Sequence, residues 1–247
     1  MTSLTKELLA SLDREAKLEL LQLLEEKDRR ERYTLFKSLF PTEGPLRRDL
    51  YPKHMEFFRA GSIHRERLFM AANRVGKTVA GGYEVTAHLT GLYPDWWDGR
   101  RWERPVKVLA AGDTGQTTKD IIQDKMLGGL WGTDEWGTGL IPRDLMAKPI
   151  PKQGVSGAYE EVKVKHASGG WSVFKLRSYD QGRRIFQGFE LDIFWPDEEV
   201  PQDVYEEGLI RTMTTQGMLM MTFTPLNGLT PLVMSFMESR SQQESLV

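Results

Sequence analysis

The sequence predicts an α/β domain built on a largely parallel sheet, and three observations carry that prediction. Apolar, strand-like runs alternate with helix-like runs from residue 67 onward. The first strand leads into "AANRVGKT" and then a helix-prone stretch, the arrangement of a phosphate-binding loop. A later apolar run, "LDIFWPDEE", delivers acids at a strand end, where open α/β sheets bind ligands.

In chain order, residues 3–38 read as helix. Leu4, Leu8, Leu12, Leu20, Leu23 and Leu24 recur at helical spacing among Lys, Glu and Arg. Such a helix either packs on the main domain or serves as a lid or docking face. "FPTEGP" (40–45) ends it with two prolines and a glycine. "RLFMAA" (67–72) is a buried strand, and "KTVAGGYEVTAHLTG" a helix ending near Gly91. "PVKVLAAG" (105–112) is the next strand, "TGQTTKDIIQDKML" a helix with a polar start, and "WGTDEWGTGLIPRDL" an ordered loop. "YEEVKVKHASGGWSVFKLRSY" (159–179) alternates on both sides of "SGG", a hairpin signal. "FELDIFWPDEE" (189–199) is a strand and "PQDVYEEGLIRTM" a helix. "GMLMMTFTP" (217–225) is a strand and "PLVMSFMESR" a closing helix.

Composition bounds the function. A chain of 247 residues holds one good-sized domain with an appendage. At 40% apolar and 28% charged it is globular rather than disordered. The net charge of −2 gives no global attraction to nucleic acid, so any such contact needs a local basic patch. The absence of cysteine excludes disulfides and thiolate zinc sites. No apolar run approaches the roughly 18–20 residues of a membrane span, and charges interrupt the N-terminus too often for a signal peptide. The expected compartment is cytosolic.

The chemistry starts at residues 71–78: Ala71, Ala72, Asn73, Arg74, Val75, Gly76, Lys77 and Thr78. In the pattern G-x-x-x-x-G-K-[ST], backbone N–H groups curl around phosphates, the lysine adds a charge, and the hydroxyl ligates Mg²⁺. Ala71 stands where glycine is usual, which is workable if its backbone stays out of the left-handed region. Chance supplies such a pattern in about 2% of chains this long, and the strand before and helix after reduce that further. Hydrolysis needs a metal-holding acid and a group that orients water. Asp197 is assigned to the metal shell with Thr78, and Glu198 to the water, with Glu199 a competing choice. Arg74 could reach the γ-phosphate or lock a carboxylate. Arg183 and Arg184, in a glycine-flanked loop, are either solvated or an arginine finger for a neighbouring subunit. Thr222, Thr224 and Asn227 end a strand and either cap a turn or sense the γ-phosphate. Tyr51, Pro52 and His54 either start a helix or frame an adenine ring.

"AANRVGKT", "WPDEE" and "TFTPLNG", in that order and spacing, resemble the ATPase domain of tailed-bacteriophage large terminase subunits, over roughly residues 45–235. The resemblance implies a P-loop NTPase fold of the additional-strand (ASCE, RecA-like) type, with an N-terminal helical lid or appendage. It implies ATP and Mg²⁺ as ligands, with Lys77, Thr78 and Asp197 at phosphate and metal. Glu198 would be the catalytic glutamate, Arg74 the loop arginine, and Thr222 to Pro225 the coupling motif. "DLYPKHMEFF" looks like the adenine-recognition segment, although the glutamine often found there is absent. The implied divisions are 1–44 as the appendage, 45–238 as the ATPase domain, and 239–247 as a polar tail or the start of a linker. The implied activity is ATP hydrolysis driving double-stranded DNA into a procapsid in the host cytoplasm, with no nuclease activity from this chain. The implied partners are DNA, the small terminase subunit, the portal protein and a nuclease domain. The resemblance also implies a homo-oligomeric ring when assembled on the procapsid, with a monomer as the alternative in isolation, and no membrane. The alternatives are a helicase-like translocase and a nucleotide-gated scaffold with little turnover. Lys163 and Lys165 in the hairpin are either DNA contacts or a solvated face.

Overall fold

The computed structural model describes residues 13–32, 35–129, 136–225, 228 and 230–241. Leu4, Leu8, Leu12, Asn227 and residues 242–247 of the tail lie outside the described residues. Seven strands form one sheet: β1 (Glu66–Met70), β2 (Lys107–Gly112), β3 (Ile150–Pro151), β4 (Tyr159–Lys165), β5 (Trp171–Ser178), β6 (Ile193–Pro196) and β7 (Met218–Phe223). Their order is β1-β7-β6-β2-β5-β4-β3. The first five are parallel, and β4 and β3 extend the sheet by antiparallel pairing. The last strand in sequence, β7, is inserted between β1 and β6 and pairs with both, which is the additional strand of the expected fold class.

Burial follows position in the sheet. Every residue of β6 and β7 is buried, because helices cover both faces of the parallel centre. β4 and β5 alternate, because one face at that edge is open. One apolar cluster lies on each side of the sheet. Among the described residues the α-helices of nine or more residues are α1 (Arg14–Arg32), α2 (Pro52–Ala60), α3 (Lys77–Thr90), α4 (Gln202–Met213) and α5 (Pro231–Ser241). The predicted helix after β2 is continuous from Gly115 to Leu127, but its middle, Thr118–Gln123, winds as a π-helix.

Two expectations need correction. The described N-terminal helix α1 does not lie apolar side down on the domain. Leu18, Leu21, Leu23 and Leu24 of α1 are each more than half exposed, and contact with the core is made instead by Phe36 and Phe40. Phe36 lies 4.6 Å from the Tyr83 ring, centroid to centroid. The strand expected over 189–199 is only four residues long. At Asp192 the backbone still bonds Lys107 O and the Met218 N–H, while its carboxylate accepts from Arg104 at 2.7 Å and from the Lys107 N–H at 2.8 Å; at the other end Glu198 turns out of the strand direction with φ +68°.

Helix α3 is buried almost all round. It ends at Gly91 in the left-handed conformation, whose N–H returns to the Ala87 carbonyl. Glu84 of α3 holds Arg67 of β1 in a fully buried ion pair at 2.6 Å, and Arg67 also donates to the Phe57 carbonyl. Burial alone would raise the Glu84 carboxyl, but Arg67 and His88 outweigh it and hold it below the usual carboxylate range. Removing one partner strands a buried charge. Glu84→Leu should therefore lower unfolding stability by about 3–5 kcal/mol, measured by urea titration, while Arg67→Met with Glu84→Leu should recover much of the loss.

Among the described residues, no helix is long and apolar enough to cross a membrane.

Candidate nucleotide site

The site lies where β1, β6 and β7 end and α3 begins. Ala71 continues from β1, half-buried, and donates its N–H to the Phe223 carbonyl at 3.3 Å. Its φ is not positive, so alanine serves there without strain. Ala72, Asn73, Arg74 and Val75 form an exposed turn, and α3 starts at Lys77. Arg74 (φ +62°) and Gly76 (φ +88°), two residues apart, are left-handed, a conformation that turns successive N–H groups into one concavity. No side chain caps the helix at Gly76, so its first amides keep their positive end free for an anion. Two of the four non-glycine residues with positive φ among those described, Arg74 and Glu198, are in this site. Such residues cost about 1–2 kcal/mol each and gather where function requires the geometry.

The lysine and the acid are both held by β7. Lys77 Nζ donates to the Ala72 carbonyl at 2.7 Å and to Thr224 Oγ1 at 2.9 Å. Thr224, whose oxygen accepts from the ammonium, donates its own proton to Asn73 Oδ1 at 2.7 Å. Thr78 Oγ1 lies 3.1 Å from both carboxylate oxygens of Asp197, and Thr222 Oγ1 donates to Asp197 Oδ1 at 2.6 Å. Residues 222 and 224 thus use the two-residue period of a strand to reach the acid and the lysine from one face.

Pro196 is the last residue of β6, where a missing N–H is tolerated. Beyond it the backbone still pairs on both sides. Asp197 N–H donates to Ala111 O, and Glu198 N–H to Thr222 O, each at 2.8 Å. Burial pushes the Asp197 carboxyl up to about 7; the Glu198 charge adds to this, and Thr222, Thr78 and Lys77 oppose it. The Tyr179 hydroxyl, absent from the sequence reading, donates to Ala111 O at 2.9 Å and lies 3.2 Å from Asp197 O. Trp195, also missed, donates to Thr222 Oγ1 at 2.8 Å.

Glu198 is partly buried beside Asp197, whereas Glu199 lines a separate cavity of about 510 Å³ with Val200, Pro201, Tyr205, Thr230 and Leu232. His54 is buried beneath the phosphate loop, its Nε2 only 3.1 Å from where a Cβ on Gly76 would lie. The Phe40, Tyr51 and Phe69 rings surround it. Burial lowers its pKa, partly offset by the backbone of Gly76 and Val75. Tyr51 is half-buried and Pro52 is exposed at the start of α2. Arg183 is held by Glu207 of α4 at 2.8 Å, while Arg184 is exposed.

The donors fit a small hard cation. A carboxylate and a hydroxyl, both oxygen, face one point beside an anion-binding turn. Mg²⁺ takes one or two protein oxygens and completes its shell with water and phosphate. Among the described residues no group of three His, Asp or Glu forms a closed cage, which suits an ion that arrives with a polyphosphate.

A family model described as terminase large subunit, T4-like virus type, N-terminal, matches residues 68–246. The large terminase subunit of Salmonella phage P22 is 33% identical over 257 residues, covering 97% of this chain and 50% of the P22 protein. The chain thus spans half the length of that curated relative. The crystal structure of the HK97 bacteriophage large terminase is similar with a TM-score of 0.55 at 13% identity, over 87% of this chain and 42% of that one. The large terminase of a thermophilic bacteriophage, in complex with ADP, gives 0.50 at 13% identity, over 79% and 43%. At these identities the two structures speak for the fold. The family match and the P22 relative carry the assignment: this chain belongs to the phage large terminase subunits and corresponds to their N-terminal region.

Proposed function

We propose that the chain binds ATP with Mg²⁺ and hydrolyses it to move double-stranded viral DNA into a procapsid. The observation that carries the reading is the meeting of Thr78 and Asp197, 119 residues apart in sequence, at the N-terminus of an uncapped helix whose lysine is tethered to Thr224. ADP in the terminase of the thermophilic phage supports a nucleotide as the ligand.

In this reading the phosphates enter the concavity of residues 72–77, and Lys77 exchanges Ala72 O and Thr224 for phosphate oxygens. Thr78 and Asp197 would hold Mg²⁺, which when bound would supply positive charge beside the phosphate oxygens. Glu198 orients the attacking water and accepts its proton. Arg74, on the exposed turn, reaches toward the γ-phosphate. Thr224, released by Lys77, passes the change into β7. Tyr51, Pro52 and His54 lie on the base side, where Tyr51 is the ring left open to stack on adenine and His54 supports the loop from below. DNA is held through its phosphates, with Lys163 and Lys165, exposed on β4, among the contacts. The working assembly is a ring on the portal with the small terminase subunit and a nuclease domain, in the host cytoplasm. Residues 1–44 act as its appendage, 45–238 as the motor, and 239–247 as a polar tail or the start of a linker. No nuclease activity is assigned to this chain.

Lys77→Ala tests the reading. A charged hydrogen bond is worth about 1.5–3 kcal/mol, so affinity for a fluorescent ATP analogue should fall roughly 10- to 100-fold. Unchanged binding would remove the site.

A further inference from the structure

Trp195 is fully buried in β6, two residues before Asp197. Its indole N–H donates to Thr222 Oγ1 at 2.8 Å, and Thr222 Oγ1 donates to Asp197 Oδ1 at 2.6 Å. Chemistry fixes the direction of this chain. An indole nitrogen has one proton to give and accepts none. The threonine oxygen must therefore accept from Trp195, and its single proton is left for the carboxylate. Without the indole, the hydroxyl loses one of the two partners that orient it, and only the carboxylate itself directs its proton.

The same ring touches the phosphate-loop helix. A Cβ on Gly81 of α3 would lie 2.6 Å from Trp195 Nε1, and one on Gly82 3.6 Å from its Cη2. The ring accounts for Gly81, a residue that costs about 1 kcal/mol relative to alanine inside a helix, whereas Gly82 is required by Leu140 and Met126, whose side chains would lie 2.7 and 2.9 Å from a Cβ there. Helix α3 begins with Lys77 and Thr78. Trp195 therefore sets the spacing between Asp197 and both hydroxyls that contact it, Thr222 by hydrogen bond and Thr78 through the seat of α3.

We propose that Trp195 is a positioning residue for the cation-binding pair Asp197 and Thr78, acting through the Thr222 hydroxyl. The proposal rests on the reading of that pair as a divalent-cation site. Trp195 does not reach the nucleotide. Its influence should appear in cation affinity and not in the affinity for nucleotide without metal. It should also pass through Thr222, so that removing both groups does little more than removing one.

The test uses Mn²⁺ as the probe. Binding of Mn²⁺ to the complex with ADP is followed by electron paramagnetic resonance, and binding of a fluorescent ATP analogue is followed in EDTA. The proteins are the natural chain, Trp195→Phe, Thr222→Val, the double variant and Asp197→Asn. Trp195→Phe and Thr222→Val should each weaken Mn²⁺ binding about 3- to 10-fold, the worth of one hydrogen bond. The double variant should fall within about twofold of Thr222→Val, and binding in EDTA should change less than about twofold. Because phenylalanine leaves space beside Gly81, benzothienylalanine at position 195 serves as a second variant. It keeps the two-ring shape and lacks the N–H, and it should reproduce the loss. Unchanged Mn²⁺ affinity in that variant, or fully multiplicative effects in the double variant, would overturn the proposal while leaving the cation site intact if Asp197→Asn still loses Mn²⁺. Undiminished Mn²⁺ binding in Asp197→Asn would overturn the cation reading itself and the proposal with it.

Discussion

Glu198→Gln should bind ATP as the natural protein does and hydrolyse it about 10²–10⁴ times more slowly, the usual worth of a positioned general base. Glutamine keeps the shape and a hydrogen-bonding head but cannot take the proton from water. The backbone makes Glu198 the informative position. With φ +68° and its N–H fixed on Thr222 O, the residue is turned out of the strand direction immediately after Asp197. An L residue is held there at a cost, and Glu198 belongs to the same sheet end as Lys77 and Thr78. Glu199 belongs to a different surface, the cavity between α4 and α5. Glu199→Gln should therefore leave turnover within about threefold. Single-turnover hydrolysis with radiolabelled ATP, alongside equilibrium binding of the nucleotide, separates chemistry from affinity. Normal turnover in Glu198→Gln with a loss in Glu199→Gln would transfer the role by one residue. A loss of binding in Glu198→Gln would make the residue a ligand support and leave the water without an assigned base.

What could be read before the fold was known follows the range of the interactions. The central strands announced themselves because both their faces are buried, so "LDIFW" and "MLMMTF" are nearly unbroken apolar runs. The phosphate loop was legible because its chemistry is contiguous: Gly76, Lys77 and Thr78 act through neighbouring backbone. The placement of β7 between β1 and β6 has no local signature, since a strand carries no mark of its neighbours; only the resemblance to a known family anticipated it. For the same reason Trp195 read as one more core aromatic, its partner Thr222 lying 27 residues away on another strand. Arg67 opens the strand expected to be buried, and what lets a charge stand there is Glu84, 17 residues further on and facing it from α3. His54 could be read only as part of a helix start or of an adenine frame, and "DLYPKHMEFF" carried no sign of what its ring touches. In space its ring is taken up by the loop backbone and three aromatic neighbours.

Arg184→Ala should reduce turnover of the assembled motor by about 10³-fold or more, the scale of an arginine finger, and do little to an isolated chain. The sequence offers Arg183 and Arg184 as equals in one glycine-flanked loop. Their surroundings separate them. The Arg183 guanidinium is engaged by Glu207, a nearly buried carboxylate that also receives Gln187 and Arg211. For Arg183 to enter a neighbour's site it must abandon that carboxylate. Arg184 is exposed on the same short turn, Arg183–Phe186, and among the described residues no carboxylate is paired with it. Arg183→Ala should therefore act mainly on the seating of α4 and leave turnover within about threefold, as expected when a partly exposed pair is lost. Mixing decides whether the finger works across an interface. An Arg184→Ala subunit keeps a complete phosphate site, and a Lys77→Ala subunit keeps the finger. In a ring of head-to-tail contacts, about a quarter of the interfaces in an equal mixture join the two in the productive order. ATPase activity should then rise well above that of either variant alone, and it should not rise when the Lys77→Ala partner also carries Arg184→Ala. If activity stays flat at every ratio, action in trans fails. If Arg183→Ala proves to be the dead variant and is rescued by mixing, the Glu207 pair is a resting latch that opens when subunits meet.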